Sequence, residues 1–247
     1  MSENGRYITM ETDTHCHTVA STHAYSTVLE LAHYAKLKGL RAIAVTDHGP
    51  AIPDGAHEWH FGNMRILPTY IEGVRVLHGV EANILNESGA LDLCERYLEE
   101  LDWVIVSFHE PVAGKMTPEQ CTRAYLALAE NPLIDVIGHS GTEEYRYDYA
   151  RVIPVFGQKG KLVEINSHSF SSRAGAKRNC REIALLCKRH RVPIVVNSDA
   201  HFCFSVGDHA DALQMLEEIG FPPELIVNRT LETLAAYIQT KRSRNIL

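Results

Sequence analysis

The hydrophobic positions of this chain come in two alternating textures. Short runs dense in Val, Ile and Leu recur seven times, at residues 6–13 (RYITMETD), 41–47 (RAIAVTD), 74–82 (VRVLHGVEA), 102–108 (DWVIVSF), 134–139 (IDVIGH), 161–166 (KLVEIN) and 193–199 (PIVVNSD). Between them lie segments with apolar residues at helical spacing: 27–39, 117–130, 176–190 and 208–220, with 230–242 closing the series. Residues 27–39 end on a glycine suited to a helix C-cap, and 117–130 open Thr-Pro-Glu-Gln, an N-cap followed by proline at the first helical position. Strands that are apolar almost throughout belong to a parallel sheet covered by helices. The pattern predicts one α/β domain, a barrel of about seven strands. Residues 49–68 show neither period and predict the longest irregular loop, a length usually tied to function or mobility.

Composition narrows this picture. The chain has 247 residues, 45% hydrophobic and 22% charged, an ordinary globular mixture of a length that suits one α/β barrel. A net charge of -7 disfavours long nucleic acids and acidic membranes as partners. No apolar run approaches the ~20 residues that span a bilayer. The start, MSENGRYITME, lacks the order of a signal peptide, so a cytoplasmic location is expected and the Asn228-Arg229-Thr230 sequon reads as a chance match. Six cysteines, at 16, 94, 121, 180, 187 and 203, form no CxxC pair and are expected as free, mostly packed thiols. Cys16 sits between two histidines, but on a strand its side chain points away from theirs.

The candidate chemistry lies at the strand ends. His15 and His17 follow the first predicted strand, with His23 in the loop beyond. His48 follows the second, Glu81 ends the third, His109 the fourth, His139 the fifth, and Asp199 and His201 the seventh. In a parallel barrel all C-terminal strand ends open on one face. Nine metal-capable side chains from six strands are therefore expected at one mouth. The H-x-H pair 15/17 and the D-x-H pair 199/201 each share a strand face. One zinc takes about four ligands, so nine exceed one ion. With Glu81 as a bridging carboxylate, two or three divalent ions are expected, three favoured. A histidine-rich set suits zinc, with manganese or iron as alternatives. His33 and His190 read as helix residues and His78 as a packed strand residue, while His57, His60, His168 and His209 lack the strand-end placement.

The stretches DTHCHT, VTDHG, GVEAN, FHEP, GHSG and NSDAH, in that order from residue 13 to 201, resemble the PHP (polymerase and histidinol phosphatase) family. TVASTHAYST and HEWHFGNMRI look like its YcdX-like phosphatase subgroup. The resemblance implies a distorted (β/α)7 barrel in a single domain, with a metal-binding core over about 11–202 and a helical end over about 208–242. It also implies a trinuclear site: one metal on His15, His17, Glu81 and Asp199, a second on Glu81, His109 and His139, a third on His23, His48 and His201. Thr14, where an apolar residue is usual, and Ser140, where proline is common, depart from the family pattern without removing a ligand.

The expected activity is metal-dependent hydrolysis of small phosphomonoesters, a metal-bridging hydroxide attacking phosphorus in line. Asp47 is a candidate either to orient a ligand imidazole or to protonate the leaving oxygen. Arg65 and Arg173 are candidates to bind phosphate oxygens, with Asn166 and His168 lining the pocket. A nuclease, phosphodiesterase or nucleotidase of the same family and a histidinol phosphatase are the nearest alternatives. An amidohydrolase-type metal barrel is disfavoured because DWVIVSFHE holds no lysine to bridge metals. A non-catalytic metal module is disfavoured because every ligand position is filled. VAGKMT lacks the rest of a P-loop. A homo-oligomer is left open.

Overall fold

The structure is a computed structural model and describes residues 8–247. Its eight strands are β1 (Thr12–Cys16), β2 (Ala42–Val45), β3 (Tyr70–Ile71), β4 (Val74–Asn83), β5 (Trp103–Ser107), β6 (Val136–Ile137), β7 (Leu162–Asn166) and β8 (Ile194–Asn197). Seven run parallel in the order β1-β2-β4-β5-β6-β7-β8, and β3 adds a short antiparallel pairing to β4. The helices are α1 (Val28–Leu37), α2 (Glu58–Asn63), α3 (Glu95–Glu100), α4 (Glu110–Ala113), α5 (Pro118–Glu130), α6 (Tyr149–Gln158), α7 (Ser169–Ser172), α8 (Ala176–His190), α9 (Ala210–Glu218) and α10 (Leu231–Arg242). Thr27 with Glu30 and Thr117 with Gln120 cap α1 and α5, each side chain bonding the other's backbone.

The sheet curls until β1 meets β8, giving a nearly closed barrel. At the mouth the two edges join directly: the His17 N–H donates to the Ala200 carbonyl at 2.8 Å, and Ala200 N–H to the His15 carbonyl at 3.3 Å. Lower down, an asparagine fills the seam. Asn228 accepts from Val196 N–H at 3.0 Å and donates to the Val196 carbonyl at 2.7 Å, while its own carbonyl takes the Thr12 hydroxyl at 2.5 Å. A side-chain amide carries the same donor and acceptor as a peptide group, so it can substitute for a missing rung. Asn228 is fully buried, which removes the sequon from solvent.

Strand alternation divides the interior into a dry floor and a polar mouth. Ala42, Ala44, Leu77, Trp103, Ile105, Val136, Leu162 and Val195 pack against Leu231, Leu234, Ala235 and Ile238 of α10, which plugs the lower end. Each large aliphatic side chain so buried contributes about 1.5–3 kcal/mol. The same inward rows continue upward as Glu81 and Asn83 on β4, Glu164 and Asn166 on β7, and Asn197 and then Asp199 along β8. The outward rows, among them Ile43, Val76, Val104, Val163 and Val196, pack beneath the helices.

Several predicted elements shift. The first strand lies at 12–16 rather than 6–13 (residues 6 and 7 fall outside the described residues), so His15 is within it. Its polar Thr14 and His15 bond Asn197 and Glu164 in the interior, a polar strand that a search for apolar runs passes over. The fifth predicted strand contracts to Val136–Ile137. Residues 49–68 are not wholly irregular, since α2 and a 3-10 turn at Met64–Ile66 occupy their second half. The pattern missed α2, α3, α4, α6 and α7: α2, α3, α4 and α7 are only four to six residues long, and α6 contains Pro154 and Gly157, which mask its period. The helical end is no appendage, because α10 is the barrel floor. Among the described residues no helix is long and apolar enough to cross a membrane.

Candidate metal centre

The register of β1 slips between Asp13 and Cys16, a bulge of the kind that re-aims side chains beside a site. Asp13 is pinned by the Ser198 hydroxyl and by Gly207 N–H at 2.7 Å, and Thr14 by the Asn197 side chain at 2.8 Å. His15 then points along the barrel axis, and Cys16 is buried, its thiol pushed well up by burial.

The ligand-type atoms converge. His15 Nε2 lies 3.3 Å from Glu81 Oε2 and 3.5 Å from Asp199 Oδ1. His17 Nε2 lies 3.5 and 3.2 Å from the same two oxygens. Metal bonds of about 2.0–2.2 Å in a tetrahedron separate ligand atoms by about 3.3–3.6 Å, so these four atoms stand at coordination spacing. The other Glu81 oxygen, Oε1, is 2.8 Å from His139 Nε2 and 3.5 Å from His109 Nε2. At the rim, His23 Nε2 sits 3.0 Å from His201 Nε2 and 3.3 Å from His48 Nε2. All nine predicted side chains are thus brought together.

The donor set fits divalent ions on a stricter test. His15 Nε2, His17 Nε2, His48 Nδ1, Glu81 Oε2, His109 Nε2 and Asp199 Oδ1 are buried with no hydrogen-bond partner. An orphaned buried polar atom costs about 1–3 kcal/mol. Two of the six, His48 Nδ1 and Glu81 Oε2, lie 2.8 Å apart, and six such atoms facing one another are an arrangement that cations satisfy more fully than bonds among themselves. Strain points the same way: Asp199 and His139 adopt φ of +54° and +22°, unfavourable for residues with a Cβ and typical of functional sites.

The far nitrogens are tied down. His15 Nδ1 meets Glu164 Oε1 at 2.7 Å, His109 Nδ1 meets Asn83 Oδ1 at 2.7 Å, His23 Nδ1 meets Asp54 Oδ2 at 2.5 Å, and His201 Nδ1 meets the Asp199 carbonyl at 2.9 Å. Each acceptor favours a proton on Nδ1 and leaves the Nε2 lone pair facing the centre. Burial, with His48 nearby, brings His17 down to about 3, and burial with Arg173 brings His139 down to about 4, so both imidazoles stay neutral. Burial alone would raise the Glu81 and Asp199 carboxyls, but His15 and its neighbours hold both well below the usual carboxylate range.

The remaining predicted residues divide. Arg173 reaches the centre, 3.5 Å from Asp199 Oδ2 and anchored to Ser169 Oγ at 2.8 Å. His168 is exposed and lines the cleft with it, and Asn166 donates to Asp199 at 3.1 Å. Asp47 accepts from Thr18 N–H, the Thr18 hydroxyl, the Ser21 hydroxyl and His60, all within 3.2 Å. Burial pushes its carboxyl up, but His60, His17 and Thr18 outweigh this and bring it to about 2. Asp47 is therefore an anion whose oxygens are committed to Thr18, Ser21 and His60, and it holds the loop that leads to His23. Arg65 is corrected. The turn after α2 sends it to an exposed cleft with Trp59, Arg96, Tyr97 and Glu100, while the clefts over His23 and His201 do not include it.

Sequence reasoning missed Glu164, Asn83 and Asp54. Glu164 is the most deeply engaged of the three: besides His15 it accepts from His139 N–H at 2.7 Å and Asn197 Nδ2 at 2.8 Å. Its signal was a lone carboxylate at an inward position of an apolar strand.

The PHP domain model matches residues 13–168, the stretch from the bulged first strand to the rim beside Arg173. This chain belongs to the PHP family. Among the PHP relatives, a protein of Acetivibrio thermocellus named a probable phosphatase is 44% identical over 232 residues, covering 94% of this chain and 96% of its own. Another of that name, from Caldanaerobacter subterraneus subsp. tengcongensis, is 45% identical over 234 residues, covering 94% and 92%. A structure of histidinol phosphate phosphatase from Lactococcus lactis, complexed with zinc, L-histidinol and phosphate, shares the PHP barrel. It matches with a TM-score of 0.58 at 16% identity, covering 86% of this chain and 95% of that one, a likeness of fold.

Proposed function

We propose that this chain is a metal-dependent phosphatase that hydrolyses small phosphomonoesters. The observation that carries the reading is the set of orphaned ligand atoms, six buried nitrogens and oxygens aimed at one another below a cleft that holds an arginine. The naming of close relatives as probable phosphatases supports it. His15, His17, Glu81 and Asp199 would hold one ion, Glu81, His109 and His139 a second, and His23, His48 and His201 a third. Zinc suits this set best, with manganese or iron as alternatives. Such ions supply Lewis acidity, which activates water and neutralises charge on a phosphoryl group.

The protein's own share is binding and order. The Arg173 guanidinium, fixed by Ser169, presents donors to a phosphate oxygen at the rim. Glu164, Asn83 and Asp54 keep three imidazoles from turning. No protein nucleophile is required: Cys16 is turned away from the centre, and the Ser198 hydroxyl is bound to Asp13. The amidohydrolase alternative stays weak, since Glu81 occupies the bridging position and β5 offers no lysine. The reading further holds that partners are small phosphorylated molecules rather than long nucleic acids or membranes.

The test combines metal content of purified protein with turnover of a phosphomonoester panel in oxygen-18 water. Two to three ions per chain and label in the released phosphate are expected. A metal-replete protein that cleaves no phosphomonoester would reject the reading.

A further inference from the structure

The mouth has two sides of opposite character. On one, Arg173 and Ser172 stand beside His23, His168, Asp199 and His201. On the other, a cleft of about 230 Å³ shares those four residues but adds Tyr25, Phe202, Asp208 and Asp211, with no lysine or arginine in its lining. Among the described residues neither Asp208 nor Asp211 has a hydrogen bond or ion pair from its carboxylate. Ser167 also lines this cleft. It is 7% exposed, and its hydroxyl has no hydrogen-bond partner among the described residues. Tyr25 and Phe202 flank the cleft as solvent-facing rings, 73% and 41% exposed.

Away from the ligand candidates His23, Asp199 and His201, the end of this cleft that holds Asp208 and Asp211 has free acceptors, two aromatic faces and no basic side chain. That end rewards hydrogen-bond donors and, through its two carboxylates, disfavours anions. The cleft's volume lies below the range of about 300–1,000 Å³ found for drug-sized ligands, so its occupant is compact. A phosphate drawn to Arg173 would place the rest of its ester on this side.

We propose that this cleft is the subsite for the leaving alcohol. Asp208 and Asp211 select phosphomonoesters of compact alcohols bearing hydroxyl or ammonium donors, and they reject substrates that bring a second phosphate there. The proposal rests on the phosphatase reading. The bland alternative is that the two carboxylates merely complement the start of α9, where negative charge is favoured.

The experiment uses the full, metal-replete chain and its Asp208→Asn/Asp211→Asn double variant, which keeps side-chain size. The substrates are a hexose monophosphate, an amino-alcohol phosphate, a hexose bisphosphate and p-nitrophenyl phosphate. The readout is the ratio of kcat/KM for each donor-bearing monophosphate to that for the bisphosphate. The wild-type ratio is expected above tenfold and to fall at least tenfold in the variant, through KM. The two monophosphates distinguish hydroxyl from ammonium recognition. Saturation-transfer NMR with the free alcohols gives a readout independent of turnover, and their signal should weaken in the variant. A ratio that moves less than twofold, even with a lower melting temperature, overturns the subsite and favours the helix-start role. If p-nitrophenyl phosphate and all the others go uncleaved by wild type, the phosphatase reading falls and takes the subsite with it. If p-nitrophenyl phosphate is cleaved but the ratio is flat, only the subsite falls.

Discussion

At the scale of single residues, the candidate centre depends on side chains outside its nine ligand candidates. Glu164 bonds His15, the His139 backbone and Asn197 together from one buried position. Glu164→Gln keeps the shape but offers His15 a weaker, half-donor partner. Metal affinity at the innermost site should fall about 10–100-fold, read by chelator competition. Unchanged affinity would show that His15 is oriented by packing alone. Arg173→Ala should raise KM for a phosphomonoester at least tenfold with kcat much less affected, checked by steady-state kinetics, because a rim guanidinium binds the ground state as well as the transition state. The nine ligand candidates were legible because their types are rare at strand ends and recur there. Glu164 was not, because one carboxylate in KLVEIN looks like a strand's exposed face until Leu162 below it and Asn166 above it are seen to share its row. Arg65 misled because a loop residue's direction depends on α2, which its own letters do not announce.

At the scale of elements, the seam between β1 and β8 is the barrel's most local dependence. Asn228→Ala leaves the Val196 amide and carbonyl without partners in the dry interior, while the Thr12 hydroxyl keeps its bond to the backbone carbonyl of residue 228. A loss of about 2–4 kcal/mol is expected in denaturant unfolding, at about 1–3 kcal/mol for each stranded group with partial relaxation. Asn228→Asp should be no better than the alanine change, since a carboxylate cannot donate to Val196. The strand count and the order of β/α units were readable from apolar runs alone. The closure was not, since Asn228 sits in a stretch with no strand pattern and acts through a single side chain. Of the missed helices, α2 sets the direction of Arg65 and α7 leads into Arg173, while the nine ligand candidates sit at strand ends and did not depend on them.

At the scale of the whole molecule, the proposed metal centre predicts a dependence of stability on metal, and a buried lysine predicts one on protons. Ions that bind only the folded chain stabilise it by mass action, about 2.7 kcal/mol per site at a hundredfold excess over Kd. Chelation should therefore lower the melting temperature by several degrees and zinc should restore it, as scanning calorimetry would show. The proton linkage lies at the other end of the barrel from the candidate ligands, beside α10. Burial, with Lys241 nearby, brings Lys161 down to about 7 from its usual 10.5, although it donates to the Asn131 and Ile134 carbonyls. Between these values the unfolded chain holds more protons than the folded one, so stability rises with pH from about 7 to 10.5 and is lost as pH falls toward 7. Lys161→Met should flatten that slope in urea titrations, and an unchanged slope would reject the assignment.

The plug at the base of the barrel carries one more consequence. All nine candidate ligands lie before residue 202, yet the helix that seals the cavity beneath them starts at Leu231. A chain stopped near residue 225 would own every donor and still lack the closed vessel that holds them at spacing. On the proposed metal reading, ion capture during synthesis should then wait until α10 has left the ribosome. Such a truncated chain should be cut readily by protease, with or without zinc.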